Sequence, residues 1–185
     1  MDTANVQRFA RQIALPEIGP DGQERICGAR VVVVGGDLAA EVAALYLRAA
    51  GAGTVVELRD PPSDGTGWLA ALEGADLVVR SLAAAEMDAT VLAARRLGIA
   101  AVTVRARAAG VGITSWPARA AEPETDLDAA AFQLPHTDRP TSVVAGALAA
   151  AEGLWLLVRG RPRPCHMSLP LLPNGLPYTR EIDAS

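Results

Sequence analysis

Lysine is missing from this 185-residue chain, and all 17 of its basic side chains are arginine. That absence excludes an amine nucleophile, a Schiff base and a Walker-type lysine on a phosphate, although high-GC coding gives the same bias without a functional cause. Cysteine is scarce as well. Cys27 and Cys165 are far apart and form no C-x-x-C pair, so neither a zinc site nor a disulfide framework is indicated, and each reads as a small buried or half-exposed thiol. A positive balance is also lacking: the net charge is −4 with no basic face, which leaves nucleic acid unsupported as a partner. No apolar stretch opens the chain, so no secretory signal is expected. The longest apolar run, Val143 to Val158, is short for a membrane span and carries Glu152, which favours a buried helix over a membrane segment. There is no internal repeat or heptad. A soluble cytoplasmic protein is the default expectation.

What is present suffices for one core. The length and the 50% hydrophobic content fit a single domain, expected over residues 1–160, followed by a Pro/Arg-rich tail over 161–185. Residues 1–28 read as a helical arm, broken by proline and glycine between Pro16 and Gly22. Val31 to Val34 is a continuous β-branched run that suits a parallel strand buried on both faces. Leu38, Val42, Leu45, Tyr46 and Ala49 follow at helical spacing, Gly51 and Gly53 end that helix, and Thr54 to Leu58 begins a second strand. Further strands are expected at Leu77 to Val79, Ile99 to Val104 and Val111 to Trp116. Helical turns are expected at Trp68 to Leu72, and a helix from Ala84 to Leu97. Residues 120–139 read as a loop or crossover. Thr141 or Ser142 would cap a last helix running to Arg159, apolar on most of its circumference and so buried on all sides, inside the domain or at a subunit interface. Together these elements define an α/β, Rossmann-like three-layer fold: a mostly parallel central sheet with helices on both faces.

The glycine turn after the first strand reads Gly35-Gly36-Asp37-Leu38-Ala39-Ala40. A dinucleotide or ATP turn of the form G-x-G-x-x-G supplies a tight bend, close backbone approach to phosphate and close helix packing. Only the first glycine is kept here, at Gly35. Asp37 occupies the second place and Ala40 the third. A charge at Asp37 would repel phosphate by about 1 to 4 kcal/mol at about 4 Å, according to the local dielectric. Asp37 is also a natural N-cap, so a plain helix cap is the preferred reading of it.

Three segments, Arg8-Phe9-Ala10-Arg11-Gln12-Ile13, Gly22-Gln23-Glu24-Arg25, and Arg30 to Gly35 leading to Tyr46-Leu47 and Gly51-Ala52-Gly53, resemble in order and spacing the ThiF/MoeB/HesA adenylyltransferases, relatives of ubiquitin-activating enzymes. The likeness continues more weakly through Ala75 to Trp116 and at the helix beginning Thr141. It implies a dimeric protein that binds ATP and Mg²⁺ and adenylates the C-terminal carboxylate of a small ubiquitin-like or sulfur-carrier protein. The family's motifs are nevertheless depleted here. The acid that holds the ribose falls at Arg59, with Asp60 one place late. Only the short loop from Pro61 stands where the family's S-N-L-x-R-Q segment and the lysine beyond it belong. The metal-serving D-x-x-D-N matches Arg80-Ser81-Leu82-Ala83-Ala84, without a carboxylate. The paired zinc cysteines of many members are absent.

One family position is retained. Arg11, with Arg8 at the first arginine of R-x-x-R-Q, matches an arginine that reaches the nucleotide of the other subunit, and the alternative is that Arg11 pairs with Glu17 or Glu24. Three functional readings remain. The first is a non-catalytic or accessory subunit that pairs, as a homodimer or heterodimer, with an intact adenylating protein; it needs no cofactor of its own, ATP and Mg²⁺ lying at the partner's site. The second is a divergent enzyme binding ATP, AMP or NAD(P) through Gly35, Gly36 and Asp60. The third is a homodimeric interaction module without nucleotide. The apolar helix from Val143, around Trp155, is a candidate dimer surface, with a core helix the plainer reading. No metal site is expected, and no membrane or nucleic-acid partner. Adjacent Cys165 and His166 lack a supporting acid or second histidine at recognisable spacing for thiol catalysis, and His136 reads as a loop residue.

Overall fold

A computed structural model of the chain describes residues 1–60, 62, 64–81, 88–107, 110–118, 139–160 and 165–170. The expected loop at 120–138, His136, the aligned metal positions Ala83 and Ala84, and residues 171–185 lie outside them.

The arm forms α1 (Thr3–Arg8), α2 (Ala10–Ile13) and α3 (Gly19–Gly28), and the expected break is shorter than the sequence suggests because Pro20 sits in the first turn of α3. The core then runs β1 (Arg30–Val34), α4 (Leu38–Ala49), β2 (Thr54–Leu58), α5 (Gly65–Leu72), β3 (Leu77–Ser81), α6 (Asp88–Arg96), β4 (Ala100–Arg107), β5 (Gly110–Trp116), α7 (Arg139–Arg159) and β6 (Cys165–Pro170). The six strands lie in the order β2-β1-β3-β4-β5-β6. The first four are parallel, and β5 and β6 continue the sheet antiparallel.

The valine run explains the layers. Side chains alternate along a strand, so Val31 and Val33 join a core with Ala43, Leu47, Ala145 and Ala149, under α4 and α7. Val32 and Val34 join a second core with Trp68, Leu72, Ala93 and Ala94, under α5 and α6. Both faces of β1 are therefore dry, as its lack of polar alternation requires.

The last helix and the tail differ from expectation. Helix α7 begins at Arg139 with Pro140 in its first turn, so Thr141 and Ser142 are buried inside the helix rather than capping it. Nor is α7 buried all round inside its own chain: Val143, Val144 and Trp155 are 41%, 38% and 37% exposed, so of the two expected settings burial wholly within the domain does not hold. Its inner face is made of small residues. A β-carbon at Gly146 would lie 2.8 Å from Val42 Cβ and 3.0 Å from the Ala43 amide, so glycine there lets α7 lie directly on α4. By length and mean hydropathy (1.7) α7 could cross a membrane, but 56% of that stretch is buried in the fold, as a core helix would be. Within the stretch expected to be a tail, Cys165–Pro170 pairs with β5, placing Cys165 opposite Ser115 and His166 opposite Thr114 in the ladder.

Candidate functional site

The glycine turn sits at the C-terminal ends of the parallel strands, where open α/β sheets bind ligands. Gly35 has φ +135°, a conformation that L side chains rarely adopt, and its N–H donates to the Leu58 carbonyl at 3.1 Å. A β-carbon on Gly35 would stand 3.2 Å from Ala40 Cβ and 3.3 Å from the Ser81 carbonyl. The third-glycine position thus carries a methyl group that closes over the turn. Gly36 faces open space.

Asp37 caps α4 as the sequence suggests. Its backbone is extended (φ −98°, ψ 170°), and one carboxylate oxygen accepts the Ala40 N–H at 2.9 Å. The other oxygen accepts the Ser81 hydroxyl at 2.6 Å. One carboxylate therefore spans the helix start and the end of β3, an anion already set at the positive end of the α4 dipole. A phosphate placed beside it would meet this charge. The turn thus differs from a G-x-G-x-x-G turn at two of its three glycines, with a carboxylate at the second and a methyl group at the third.

The ribose position is equally altered. Arg59 lies 3.4 Å from Glu41 in the first turn of α4 and 3.5 Å from Glu57 on β2. Glu57 also receives Arg48 at 2.6 Å, and that hydrogen bond, with the Arg48 charge and then the Arg59 hydrogen bond and charge, holds the Glu57 carboxyl below its ordinary pKa. Arg59, the position that the resemblance aligns with a ribose acid, is thus engaged with two acids of its own chain. Asp60 is exposed at the end of β2. Gly35, Gly36 and Asp60 therefore lie at the same end of the sheet, as do Asp37 and Arg59.

The arm is at the other end. Phe9 is buried, and its ring lies against Gly51: a β-carbon there would come within 2.8 Å of Phe9 Cε1, and Gly51 has φ +93°. Gln23 is fully buried and donates to the Ala50 carbonyl at 2.9 Å. Arg25 donates to the Val158 carbonyl at 2.6 Å, tying α3 to the end of α7. Phe9, Gln23, Arg25 and Gly51 are thus the anchors of the arm. Arg8 and Arg11 are not anchors. Both are exposed; Arg8 lies over the Phe9 ring at 5.1 Å, and Arg11 has no ion pair among the described residues. Of the two acids proposed for it, Glu24 instead receives the N-terminal ammonium at 3.2 Å.

Phe9 marks the C-terminal end of α4 and Asp37 its N-terminal end, about 18 Å apart by the rise of a 12-residue helix. The structure does not bring Arg8 and Arg11 together with the glycine turn of their own chain. Nor is the turn the site of the described cleft of about 350 Å³, which opens beside Arg25, Ala29, Asp76, Leu156 and Gly160. Asp76 is structural there, accepting the Arg30 N–H at 2.8 Å. Nothing near Ser81 in the sequence marks it as a partner of Asp37, 44 residues away. Among the described residues no group of three or more His, Cys, Asp or Glu side chains could hold a metal.

No family model matches the chain. Short segments do match characterised proteins. One is 40% identical over 60 residues to the SAMP-activating enzyme E1 of Haloferax volcanii, covering 32% of this chain and 22% of that protein. A 50-residue segment is 44% identical to the probable adenylyltransferase/sulfurtransferase MoeZ of Mycobacterium tuberculosis, covering 27% of this chain and 13% of that one. Another is 48% identical over 50 residues to the sulfur carrier protein adenylyltransferase of Thermus thermophilus, covering 27% and 18%. The match thus spans less than a quarter of each relative's length. In three dimensions the likeness covers nearly the whole chain. PaaA superposes with a TM-score of 0.73 at 10% identity, covering 98% of this chain and 84% of PaaA. MccB of E. coli, in a structure with MccA, superposes at 0.68 and 12% identity, covering 100% and 73%. The resemblance to ThiF/MoeB/HesA adenylyltransferases thus holds in local sequence and in fold.

Proposed function

We propose that this chain, a degenerate relative of the ThiF/MoeB/HesA adenylyltransferases, is an accessory subunit that dimerises with an ATP-dependent carboxylate-adenylating protein and lends it an arginine. The observation that carries this reading is the Asp37 carboxylate held between the Ala40 amide and the Ser81 hydroxyl, in the place of the phosphate-gripping glycine. Arg59, paired with Glu41 and Glu57 where a ribose acid belongs, adds to it. Arg11 supports the role in trans. It is exposed, has no ion pair among the described residues, and stands at the far end of α4 from its own glycine turn. A guanidinium presented from outside stabilises charge developing on a polyphosphate bound elsewhere.

ATP and Mg²⁺ belong, on this reading, to the partner's site, and the substrate is the C-terminal carboxylate of a small carrier protein bound there. The curated relatives include a sulfur carrier protein adenylyltransferase, which gives that substrate class its support. The protein works in solution in the cytoplasm. The test is ATP–pyrophosphate exchange with and without an intact adenylating homologue and its carrier. The isolated chain is expected to give none, and the pair is expected to exceed the homologue alone. Exchange by the isolated chain would overturn the proposal.

A further inference from the structure

Strand β2 forms one edge of the sheet, because the chain passes from it through α5 to β3 on the far side of β1. Its backbone is regular: Thr54 to Leu58 pair with Arg30 to Val34 without a bulge, and no proline interrupts them. The Thr54 N–H donates to the Ala29 carbonyl at 3.0 Å, and the Leu58 carbonyl accepts the Gly35 N–H at 3.1 Å. By alternation the backbone groups of Thr54, Val56 and Leu58 serve β1, and those of Val55 and Glu57 point out of the sheet. Among the described residues this outward row meets one donor, the Arg48 guanidinium at 3.3 Å from the Val55 carbonyl. Val55, Val56 and Leu58 are only half-buried, Val55 against one core and the other two against the second, so both cores end at this edge.

Helix α4 overlooks the same edge. Glu41, Leu45 and Arg48 recur at i, i+4 and i+7, one stripe of the helix. The stripe stands over β2, since Glu41 lies 3.4 Å from Arg59 and Arg48 lies 2.6 Å from Glu57. Between the two charges Leu45 is 62% exposed. The intrachain ion pairs do not exhaust these charges: Glu41, Arg48 and Arg59 keep 47%, 48% and 60% of their side-chain surface exposed. Exposed pairs of this kind are weak and exchange partners readily. As the crossover between parallel β1 and β2, α4 runs opposite to both, which puts the acid of the stripe where the strands finish and the base where they start. A row of acid, leucine and base is complementary to its own inverse. A two-fold axis at the sheet edge sets β2 antiparallel to β2, Leu45 beside Leu45, and Glu41 of each copy beside Arg48 of the other. An unrelated strand would match the backbone of this edge but not its order of charge.

We propose that the β2 edge, with the Glu41-Leu45-Arg48 stripe above it, is a docking surface for a second copy of this chain, giving a two-fold pair with one continuous sheet. The outward N–H and C=O groups of Val55 and Glu57 find partners across the axis, and Leu45 is covered. Pairing replaces the Arg48 contact at the Val55 carbonyl and turns that guanidinium toward the opposing Glu41. This inference does not rest on the accessory role, because neither Arg11 nor a nucleotide enters it.

The test is sedimentation equilibrium of the full chain joined to amide hydrogen exchange. A monomer–dimer equilibrium is expected, with the Val55 and Glu57 amides slow to exchange in the dimer and fast on dilution. Leu45→Asp should weaken the dimer about tenfold or more, with the circular dichroism of the fold unchanged because Leu45 is exposed. Glu41→Arg and Arg48→Glu should each self-associate about tenfold more weakly than wild type. An equimolar mixture of those two variants should recover the dimer, because every acid again faces a base in the mixed pair. That recovery separates the interface from the intrachain ion pairs, which mixing does not restore. A chain that stays monomeric at every attainable concentration, a dimer indifferent to Leu45→Asp, or charge variants that fail to rescue each other would overturn the proposal. So would Val55 and Glu57 amides already protected in the monomer, which would show the edge covered by the chain itself, or an edge taken up only by a different protein.

Discussion

Ser81 donates its hydroxyl to the Asp37 carboxylate at 2.6 Å, joining the end of β3 to the start of α4 across 44 residues of sequence. Asp37 holds the Ala40 N–H as well. Asp37→Ala therefore removes an N-cap and leaves a nearly buried serine hydroxyl without its acceptor. A loss of about 1 to 3 kcal/mol is expected from the cap and the orphaned hydroxyl together, read by urea unfolding. Asp37→Gly supplies the second glycine of the pattern, and calorimetric titration of that variant with ATP is expected to show no saturable binding. Ala40 still closes on Gly35, and Arg59 still occupies the ribose position.

Local features of this chain were legible and distant ones were not. The Val31 to Val34 run announces a doubly buried strand by itself, and Asp37 before an apolar helical pattern announces a cap. Ser81 carries no such signal, because nothing near it in sequence identifies an acceptor on another element. The same holds for β6. Cys165–Pro170 sits among prolines and reads as tail, and it is a strand only because the edge of β5 offers unpaired backbone groups. The apolar circumference of α7 suggested burial on every side, within the domain or at a subunit interface. Its small inner residues place it on α4 and the sheet by one face, leaving Val143, Val144 and Trp155 partly in water.

Gly51 is a second place where backbone and packing agree. Its φ of +93° suits glycine, and the Phe9 ring fills the space a β-carbon would take. Gly51→Ala is expected to cost about 2 to 4 kcal/mol, combining backbone strain with overpacking. The arm should loosen before the core does. Limited proteolysis should then cut within residues 1–28 faster than in the wild type, while denaturant melting reports the global loss.

Glu57 gives a pH-dependent test. Its carboxyl is held below the ordinary value of 4.5, first by the Arg48 hydrogen bond and then by Arg59. A depressed folded-state pKa contributes stability that is full above the unfolded value and is lost as pH falls through the folded one. The stability difference between wild type and Glu57→Gln should thus be present at neutral pH and vanish in acid below that value. Its size should stay under about 1 kcal/mol, because the arginine partners are exposed and salt screens them. Unfolding curves of both proteins from pH 7 downward check the sign.

Arg11 separates structural from functional roles most cleanly. It is exposed and has no ion pair among the described residues, so Arg11→Ala should leave stability within about 0.5 kcal/mol of wild type. Arg8, which lies over the Phe9 ring, should lose about 0.5 to 1 kcal/mol on the same substitution. If the arm serves a partner's nucleotide, the order reverses in the exchange assay. Arg11→Ala should then lower the stimulation of an intact adenylating homologue about a hundredfold or more, as loss of a transition-state arginine does. Unchanged stimulation by Arg11→Ala, with dimerisation intact by size-exclusion chromatography, would leave the chain a binding module that only displays a surface.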